Sequence, residues 1–233
     1  MSNIIRSTTN LAIHIAREYI VPGGIIVDAT CGNGHDTLAL AKAARSIAKA
    51  DRADANADCA DAKADRADAK ADRAGANCIQ PHILAFDIQQ EAIDATGRLL
   101  MREGFTDQLA DSSIRLICDS HENMAQYLAD SNGQTAKANL IVFNLGYLPG
   151  GDKSVTTKAD STLEAIRESL VLLAGDGGLC ITMYSGHEEG AKEKAQLLDF
   201  ARNLDSHEFH VAYVNIANQP NNPPELLVIS RKI

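Results

Sequence analysis

Apolar and polar positions along the chain follow two periods, one typical of strands and one typical of helices. Short apolar runs predict seven strands, at 25–30, 82–88, 114–119, 139–144, 178–184, 210–217 and 226–231. Amphipathic patterns predict the intervening helices, at 10–20, 36–49, 89–103, about 121–130, 160–174 and 188–203. This alternation predicts an α/β fold, with a mostly parallel sheet and helices on both of its faces.

The last two predicted strands follow each other without a helix. Residues 218–225 join them, so the two strands should be antiparallel neighbours. A mostly parallel sheet of seven strands with an antiparallel final hairpin strand is the Rossmann-like arrangement of class I methyltransferases. An ordinary NAD-binding domain lacks that closing hairpin.

Residues 51–78 differ from the rest of the chain and form an insertion of four seven-residue units rich in Ala and Asp. A period of seven is typical of coiled coils, but Ala is the only apolar residue apart from Cys59 and Cys78, so no Leu or Ile seam exists. Seven aspartates nearly cancel five Lys and Arg, so the insertion is not a charged arm. We expect a tandem duplication in a surface loop, forming a marginal solvated helix or disorder.

Length and composition indicate a globular protein. The 233 residues, 45% of them apolar, can bury the core of one domain, and we expect 1–233 to form it. No run of about 18 apolar residues predicts a membrane span. Residues 1–9 lack a basic region followed by an apolar stretch, so we expect no signal peptide and a cytoplasmic protein.

The net charge bears on a nucleic-acid partner, and the cysteines bear on disulfides and metal binding. A net charge of −9 weighs against nucleic acid, although a local basic face can exist on an acidic protein. The five cysteines are odd in number and form no C-x-x-C pair, so we expect neither a disulfide framework nor a metal site. Cys118 and Cys180 lie in apolar runs and should be buried, and Cys31 is interpreted as a small residue in a tight turn.

The most informative segment runs from Asp28 to Thr37, with the sequence Asp-Ala-Thr-Cys-Gly-Asn-Gly-His-Asp-Thr. A strand, a glycine turn and a helix open many nucleotide-cofactor folds. Glycines let the backbone approach a cofactor closely, and the helix start presents free N–H groups. The candidate cofactor-binding residues of this turn are Asp28, Thr30, Gly32, Asn33, Gly34, His35, Asp36 and Thr37.

Thr37 stands where the G-x-G-x-x-G fingerprint has its third glycine, which weighs against NAD or FAD. His35 and Asp36 open the following helix. In a structural role, Asp36 would cap that helix or interact favourably with its dipole. In a functional role, both residues would face the methionyl part of the cofactor.

Polar residues also follow the second and third predicted strands. Asp87 and Gln89 are placed to hold a ribose, because a carboxylate can accept hydrogen bonds from two hydroxyls. Asp119, Ser120 and His121 are placed to meet an adenine ring. Capping of the following helices is the alternative role for Asp87 and Asp119.

Asn144-Leu-Gly-Tyr147 ends the fourth predicted strand, and its spacing resembles the Asn-Pro-Pro-Tyr signature of methyltransferases that modify exocyclic amino groups. The Asn144 oxygen can accept an amine hydrogen and so orient the nitrogen. Tyr147 can stack on a base, which is worth roughly 1–3 kcal/mol. A turn residue is the alternative role for Asn144. Asp152 and His187 lie in two loops at the same edge, as candidate proton acceptors or substrate contacts.

Five motifs together resemble the YtqB/MnmM family of small bacterial class I methyltransferases. They lie at 28–37, 86–89, 144–153, 184–190 and 221–226, and the resemblance spans nearly the whole chain except 47–78. It implies S-adenosyl-L-methionine as the cofactor. It also implies methylation of the aminomethyl group on 5-aminomethyl-2-thiouridine at the tRNA wobble position. The implied partner is the anticodon region of tRNA, and the chain could act as a homodimer.

Two other functions stay open from the sequence. One is a methyltransferase that acts on rRNA or on a small amine. The other is a non-catalytic protein that binds S-adenosylmethionine, and the intact pair of Asn144 and Tyr147 argues against it.

Overall fold

A seven-stranded sheet forms the centre of the structure, a computed structural model that describes residues 7–64, 80–129, 133–145, 159–186, 188–220 and 222–233. The strands are β1 (Ile25–Asp28), β2 (His82–Asp87), β3 (Ile114–Cys118), β4 (Ala138–Leu145), β5 (Leu173–Met183), β6 (Phe209–Val214) and β7 (Glu225–Arg231). Their order across the sheet is β3-β2-β1-β4-β5-β7-β6.

The strand directions confirm the predicted sheet. β3, β2, β1, β4 and β5 pair in parallel. β7 is antiparallel to both of its neighbours, β5 and β6, so it closes the sheet as the predicted hairpin strand. The strand order reverses between β2-β1 and β4-β5. Ligands bind beside such a reversal in open α/β sheets, at the carboxyl ends of the strands.

Helices cover both faces of the sheet, also as predicted. They are α1 (Thr8–Ala16), α2 (His35–Ala64), α3 (Gln90–Arg102), α4 (Thr106–Ala110), α5 (Met124–Leu128), α6 (Ala159–Leu172) and α7 (Glu188–Arg202). On one face, Phe143 of β4 packs in a cluster with residues of α6 and α7. On the other, Leu140 of β4 packs in a cluster with residues of α1 and α2. Both faces of β4 are therefore buried, which explains its continuous apolar sequence.

Several boundaries differ from the predicted ones, because Ala favours helix in the insertion and packing decides where β5 begins. The predicted helix at 36–49 continues as α2 to Ala64, into the first half of the insertion. Residues 65–78 of the insertion lie outside the described residues. Strand β5 begins at Leu173, inside the predicted helix at 160–174, with a register shift against β4. The short helix α4 has too few residues for a periodic signal.

The cysteines divide by their position in the sheet. Cys180 is buried in β5, as predicted, whereas the prediction for Cys118 is wrong, since this residue is exposed. Cys118 ends β3, and β3 forms an edge of the sheet. Within the described ranges, no helix has the length and apolar character needed to cross a membrane.

The contacts that attach the described side chains of α2 to the body lie before residue 51. The Lys42 ammonium forms an ion pair with Glu103 at 2.7 Å. The Arg45 guanidinium donates to the Gly104 carbonyl at 2.6 Å and lies 3.5 Å from the centre of the Phe105 ring. These contacts join α2 to the end of α3.

We therefore propose that the insertion is dispensable for folding. Replacing 51–77 by a short Gly/Ser linker should change the melting temperature by only a few degrees, because it leaves those contacts in place. Leu40→Ala in the same helix is the control, and it should cost about 2–5 kcal/mol since Leu40 is fully buried. Thermal unfolding followed by circular dichroism measures both. A deletion that destabilises the protein as much as Leu40→Ala would show that the repeats pack on the body.

Candidate functional site

The carboxyl ends of the central strands place three candidate side chains at one edge of the sheet. Asp28 is the last residue of β1, and Asp87 is the last residue of β2. Asn144 lies one residue before the end of β4 and is paired with Thr182 of β5. Because β1 pairs with both β2 and β4, the three residues follow neighbouring strands at the reversal of strand order.

Asp28 holds the two ends of the glycine turn. Its Oδ1 accepts a hydrogen bond from the Thr30 backbone N–H at 3.2 Å, and its Oδ2 accepts one from the Thr37 hydroxyl at 2.6 Å. Thr37 therefore uses its hydroxyl at the position where a dinucleotide fingerprint has glycine. Burial raises the pKa of Asp28 to about 7, with smaller contributions from the charges of Asp36 and Asp87.

Helix α3 packs directly against the glycine turn. Gly34 has a φ of +81°, and a Cβ at this position would lie 2.8 Å from the Thr96 Cα. The Thr96 hydroxyl donates to the Gly32 carbonyl at 3.0 Å. Gly34 is thus required both for its backbone conformation and for the approach of the helix.

Thr96 is a residue of the site that the sequence reasoning missed. It is fully buried in a helix and holds the turn without belonging to any motif. The available signal was the pair Thr96-Gly97, two small residues on the inward face of the amphipathic pattern of α3.

Asp87 connects the second strand to the turn. Its Oδ2 accepts from the Gly32 N–H at 3.0 Å, and its Oδ1 accepts from the Gln89 N–H at 2.9 Å. Gln89 caps the N-terminus of α3 without a side-chain hydrogen bond. Each carboxylate oxygen can accept a second hydrogen bond, so Asp87 is oriented by the backbone and keeps acceptor capacity.

Asp119 holds the loop after β3 together. Its Oδ1 accepts from the Ser120 N–H at 2.7 Å and from the Asn123 side-chain amide at 2.9 Å. Its Oδ2 accepts from the Tyr127 hydroxyl at 2.8 Å, a contact that no motif predicted. These hydrogen bonds hold the pKa of Asp119 below its usual value, so the carboxylate stays charged.

His121 lies under the same loop. Its ring is buried and packs edge-on against Phe143 of β4, with 5.4 Å between the ring centres. Burial lowers the pKa of His121 and favours the neutral ring. The loop after β3 is therefore attached to the central strands.

Asn144 is held at its backbone and at its side chain. Its N–H donates to the Thr30 hydroxyl at 2.7 Å, and its Nδ2 donates to Asp36 Oδ2 at 2.8 Å. Its Oδ1 is buried, and none of the described residues donates to it. A buried acceptor without a partner costs about 1–3 kcal/mol, so this oxygen is a candidate ligand contact. Burial raises the pKa of Asp36, against the effects of Asn144 and His35.

Of the remaining candidate residues, some lie within the described part of the chain and others lie outside it. Gly32 and Asn33 are half-buried in the turn, and His35 is exposed at the first position of α2. Ser120 caps the short 3₁₀ helix that follows it. The proposed catalytic residues Tyr147, Asp152 and His187 lie outside the described residues.

A cavity of about 430 Å³ lies between α7 and the β6–β7 connection. Ser185, just after β5, lines it together with Lys194, Leu198 and Arg202 of α7 and with Asn222. Lys194 forms an ion pair with Glu225, the first residue of β7. Arg202 thus places positive charge in the cavity, whereas Glu225 balances the charge of Lys194.

Comparisons with known proteins agree on a methyltransferase and differ in the RNA that they name. A family model described as "Putative rRNA methylase" matches residues 83–230. An Arabidopsis thaliana protein named chloroplastic tRNA (mnm(5)s(2)U34)-methyltransferase is 27% identical over 231 residues, covering 97% of this chain and 70% of that protein.

Two solved structures are similar over nearly their whole length. A "putative rRNA-methylase" from Clostridium thermocellum is 29% identical with a TM-score of 0.72, covering 97% of this chain and 98% of that one. A "putative methyltransferase" from Streptococcus mutans, in complex with S-adenosylhomocysteine, is 27% identical with a TM-score of 0.69, covering 97% and 98%.

The buried carboxyl of Asp28 predicts a pH-dependent stability. In the unfolded chain it loses its proton near 3.8, whereas in the folded protein it keeps the proton up to about 7. Its contribution to stability is therefore complete below 3.8 and is lost as the pH rises through 7. Each unit of this shift corresponds to about 1.4 kcal/mol. Asp28→Asn cannot titrate, so its stability relative to the parent should rise across this range.

Urea denaturation of both proteins at several pH values measures this difference. A difference in unfolding free energy that stays constant with pH would contradict the role given to Asp28.

Because α3 lies close to the turn, we expect replacement of two glycines by alanine to cost unequal amounts of stability. Gly34 and Gly104 both have positive φ, at +81° and +79°, but nothing lies within 4 Å of a Cβ at Gly104. Gly104→Ala should cost about 1–2 kcal/mol, from backbone strain alone. Gly34→Ala should cost about 2–5 kcal/mol, because the contact with Thr96 adds to the strain. Equal losses in urea denaturation would show that α3 does not restrict the turn.

Proposed function

The chain belongs to the putative rRNA methylase family, and on that premise we propose that it methylates the aminomethyl nitrogen of 5-aminomethyl-2-thiouridine at the wobble position of tRNA. It is an S-adenosylmethionine-dependent methyltransferase, as the family and the complex of the Streptococcus mutans structure indicate. The tRNA substrate is supported by the name of the Arabidopsis relative. The geometry of the site supports one part of the proposal, that the methyl acceptor is an amine nitrogen.

The observation that carries the proposal is the Asn144 Oδ1, which has no hydrogen-bond donor within the described part of the chain. This oxygen is buried at the end of β4, and no described residue donates to it. A primary amine is a donor that would satisfy it. By accepting one amine hydrogen, Asn144 would fix the direction of the nitrogen lone pair, and correct orientation is worth orders of magnitude in rate.

The turn and the end of β2 fit the cofactor. S-adenosylmethionine, when bound, supplies an electrophilic methyl group. We propose that Asp87 accepts the ribose hydroxyls, because the Gly32 and Gln89 N–H groups orient its carboxylate and leave acceptor capacity on both oxygens. The residues from Asp28 to Thr37 would hold the methionyl part.

The loop after β3 would line the adenine. Ser120 and His121 sit on the loop that Asp119 holds together. We propose that these two residues contact the base and that Asp119 acts by shaping the loop. The neutral His121 ring offers an apolar face in this role.

The substrate amine must lose a proton before it can react. An alkyl amine has a pKa near the lysine value of about 10.4, so it is mostly charged in water, and only the neutral form carries a free lone pair. Burial lowers the pKa of an amine. We propose that Asp152 or His187 accepts the proton and that Tyr147 stacks on the uracil ring, from their positions in the sequence.

A tRNA partner needs positive charge on a chain whose net charge is −9. Arg202 supplies positive charge in the cavity beside the end of β5, where Lys194 is paired with Glu225, and we propose that this cavity takes phosphates of the anticodon region. A cytoplasmic location fits this substrate.

Dimerisation is a further proposal, for which the edge strand β6 presents exposed Val211 and Tyr213.

The test of substrate uses the full chain, S-adenosylmethionine and three RNAs. These are tRNA that carries 5-aminomethyl-2-thiouridine, the unmodified transcript of the same tRNA, and ribosomal RNA. Mass spectrometry of the nucleosides should detect one added methyl group on the modified nucleoside only, since the transcript lacks the amine. Methylation of ribosomal RNA and not of tRNA would replace this proposal with the activity in the family's description.

Asn144→Ala predicts a selective loss of turnover. It should lower kcat by roughly 10²-fold, because the amine loses its orienting acceptor. Affinity for S-adenosylhomocysteine, measured by calorimetry, should change little. Asn139→Ala is the matched control, since Asn139 lies on the same strand, far from the site, and its Oδ1 accepts from the Ile25 N–H at 3.2 Å. An Asn144→Ala protein that turns over at the parent rate would refute the assignment.

A further inference from the structure

The side-chain amide of Asn144 can present either its oxygen or its nitrogen to a ligand. The two ends have nearly the same shape, and a half-turn about the last side-chain bond exchanges them. Only the oxygen can accept a hydrogen from an amine. A nitrogen in that place would bring N–H groups against N–H groups. The orientation of this amide therefore decides whether the site can hold an amine.

We propose that Asp36 is a positioning residue that selects the reactive orientation of Asn144. Its Oδ2 accepts from Asn144 Nδ2 at 2.8 Å. In its charged form Asp36 has no hydrogen to donate, so it can face only the nitrogen end of the amide. Oδ1 is then the end that is buried and has no donor among the described residues. The identity of the amine rests on the proposed function, whereas the orientation rests on these two atoms.

Asp36 holds the side chain of Asn144 but not its backbone. Asp36 is the second residue of α2, and it is held where the glycine turn enters the helix. The Asn144 backbone is anchored elsewhere, by its N–H donation to the Thr30 hydroxyl at 2.7 Å. Truncating Asp36 therefore leaves the end of β4 in place and frees only the amide to rotate.

A second role of Asp36 must be separated from this one. An acidic residue in the first turn of a helix stabilises the helix through its dipole. Glu91 is an exposed acid in the first turn of α3, so Glu91→Ala is the matched control. Both Asp36→Ala and Glu91→Ala should lower the melting temperature, but only Asp36→Ala should lower kcat.

The kinetic experiment is a double-mutant cycle on tRNA carrying the aminomethyl group. Asp36→Ala should lower kcat by roughly tenfold or more, and the Asp36→Ala/Asn144→Ala protein should be no slower than Asn144→Ala alone. Asp36→Asn keeps an acceptor oxygen at this position and should recover part of the loss. Additive losses in the double variant would overturn the proposal, because Asp36 would then act on kcat without Asn144.

A second experiment needs no substrate. In a ¹⁵N-labelled protein, the side-chain amide signal of Asn144 is identified by its loss in Asn144→Ala. Its hydrogens should exchange slowly with solvent in the parent, and at least tenfold faster in Asp36→Ala, with Asp36→Asn between them. Unchanged exchange in Asp36→Ala would overturn the proposal. A parent protein that methylates none of the RNAs would refute the proposed substrate, while this measurement would still decide the role of Asp36.

Discussion

The carboxylate of Asp28 is the constraint on which the rest of the site depends. It accepts from Thr30 and Thr37, so it fixes both ends of the glycine turn. Thr30 in turn accepts from the backbone of Asn144, which connects the cofactor turn to the end of β4. The proposed cofactor and substrate sides thus share one anchor. A buried carboxylate that receives two hydrogen bonds resists displacement, because moving it would leave polar groups unpaired.

The carboxyl groups of Asp28, Asp36 and Asp87 lie close together around this anchor. Burial raises the pKa of Asp28 and Asp36, and the charges of Asp36 and Asp87 raise that of Asp28 further. Like charges held together in a poorly solvated place are unfavourable, and a cationic ligand relieves that cost. A sulfonium cofactor fits such a site better than a neutral or anionic one.

Much of the fold was predictable because it depends on local patterns. The period of apolar residues identified the seven strands, and the missing helix between β6 and β7 predicted the antiparallel closure. Boundaries were less predictable where packing overrides the local preference, as in β5, which begins inside a helical pattern at Leu173. Cys118 looked buried in sequence, but its strand lies at the edge of the sheet.

The sequence by itself determined which residue types stand at the carboxyl ends of the strands, because chain order and strand polarity place Asp28, Asp87 and Asn144 there. Only the tertiary structure decided how they pair. Asp36 and Asn144 are 108 positions apart, and Gly32 and Thr96 are 64 apart, so no local pattern could connect them. That the Asn144 oxygen has no donor among the residues that the structure describes is likewise a tertiary property. An amide has two ends, and only the neighbour that the fold supplies determines which end is left for a ligand.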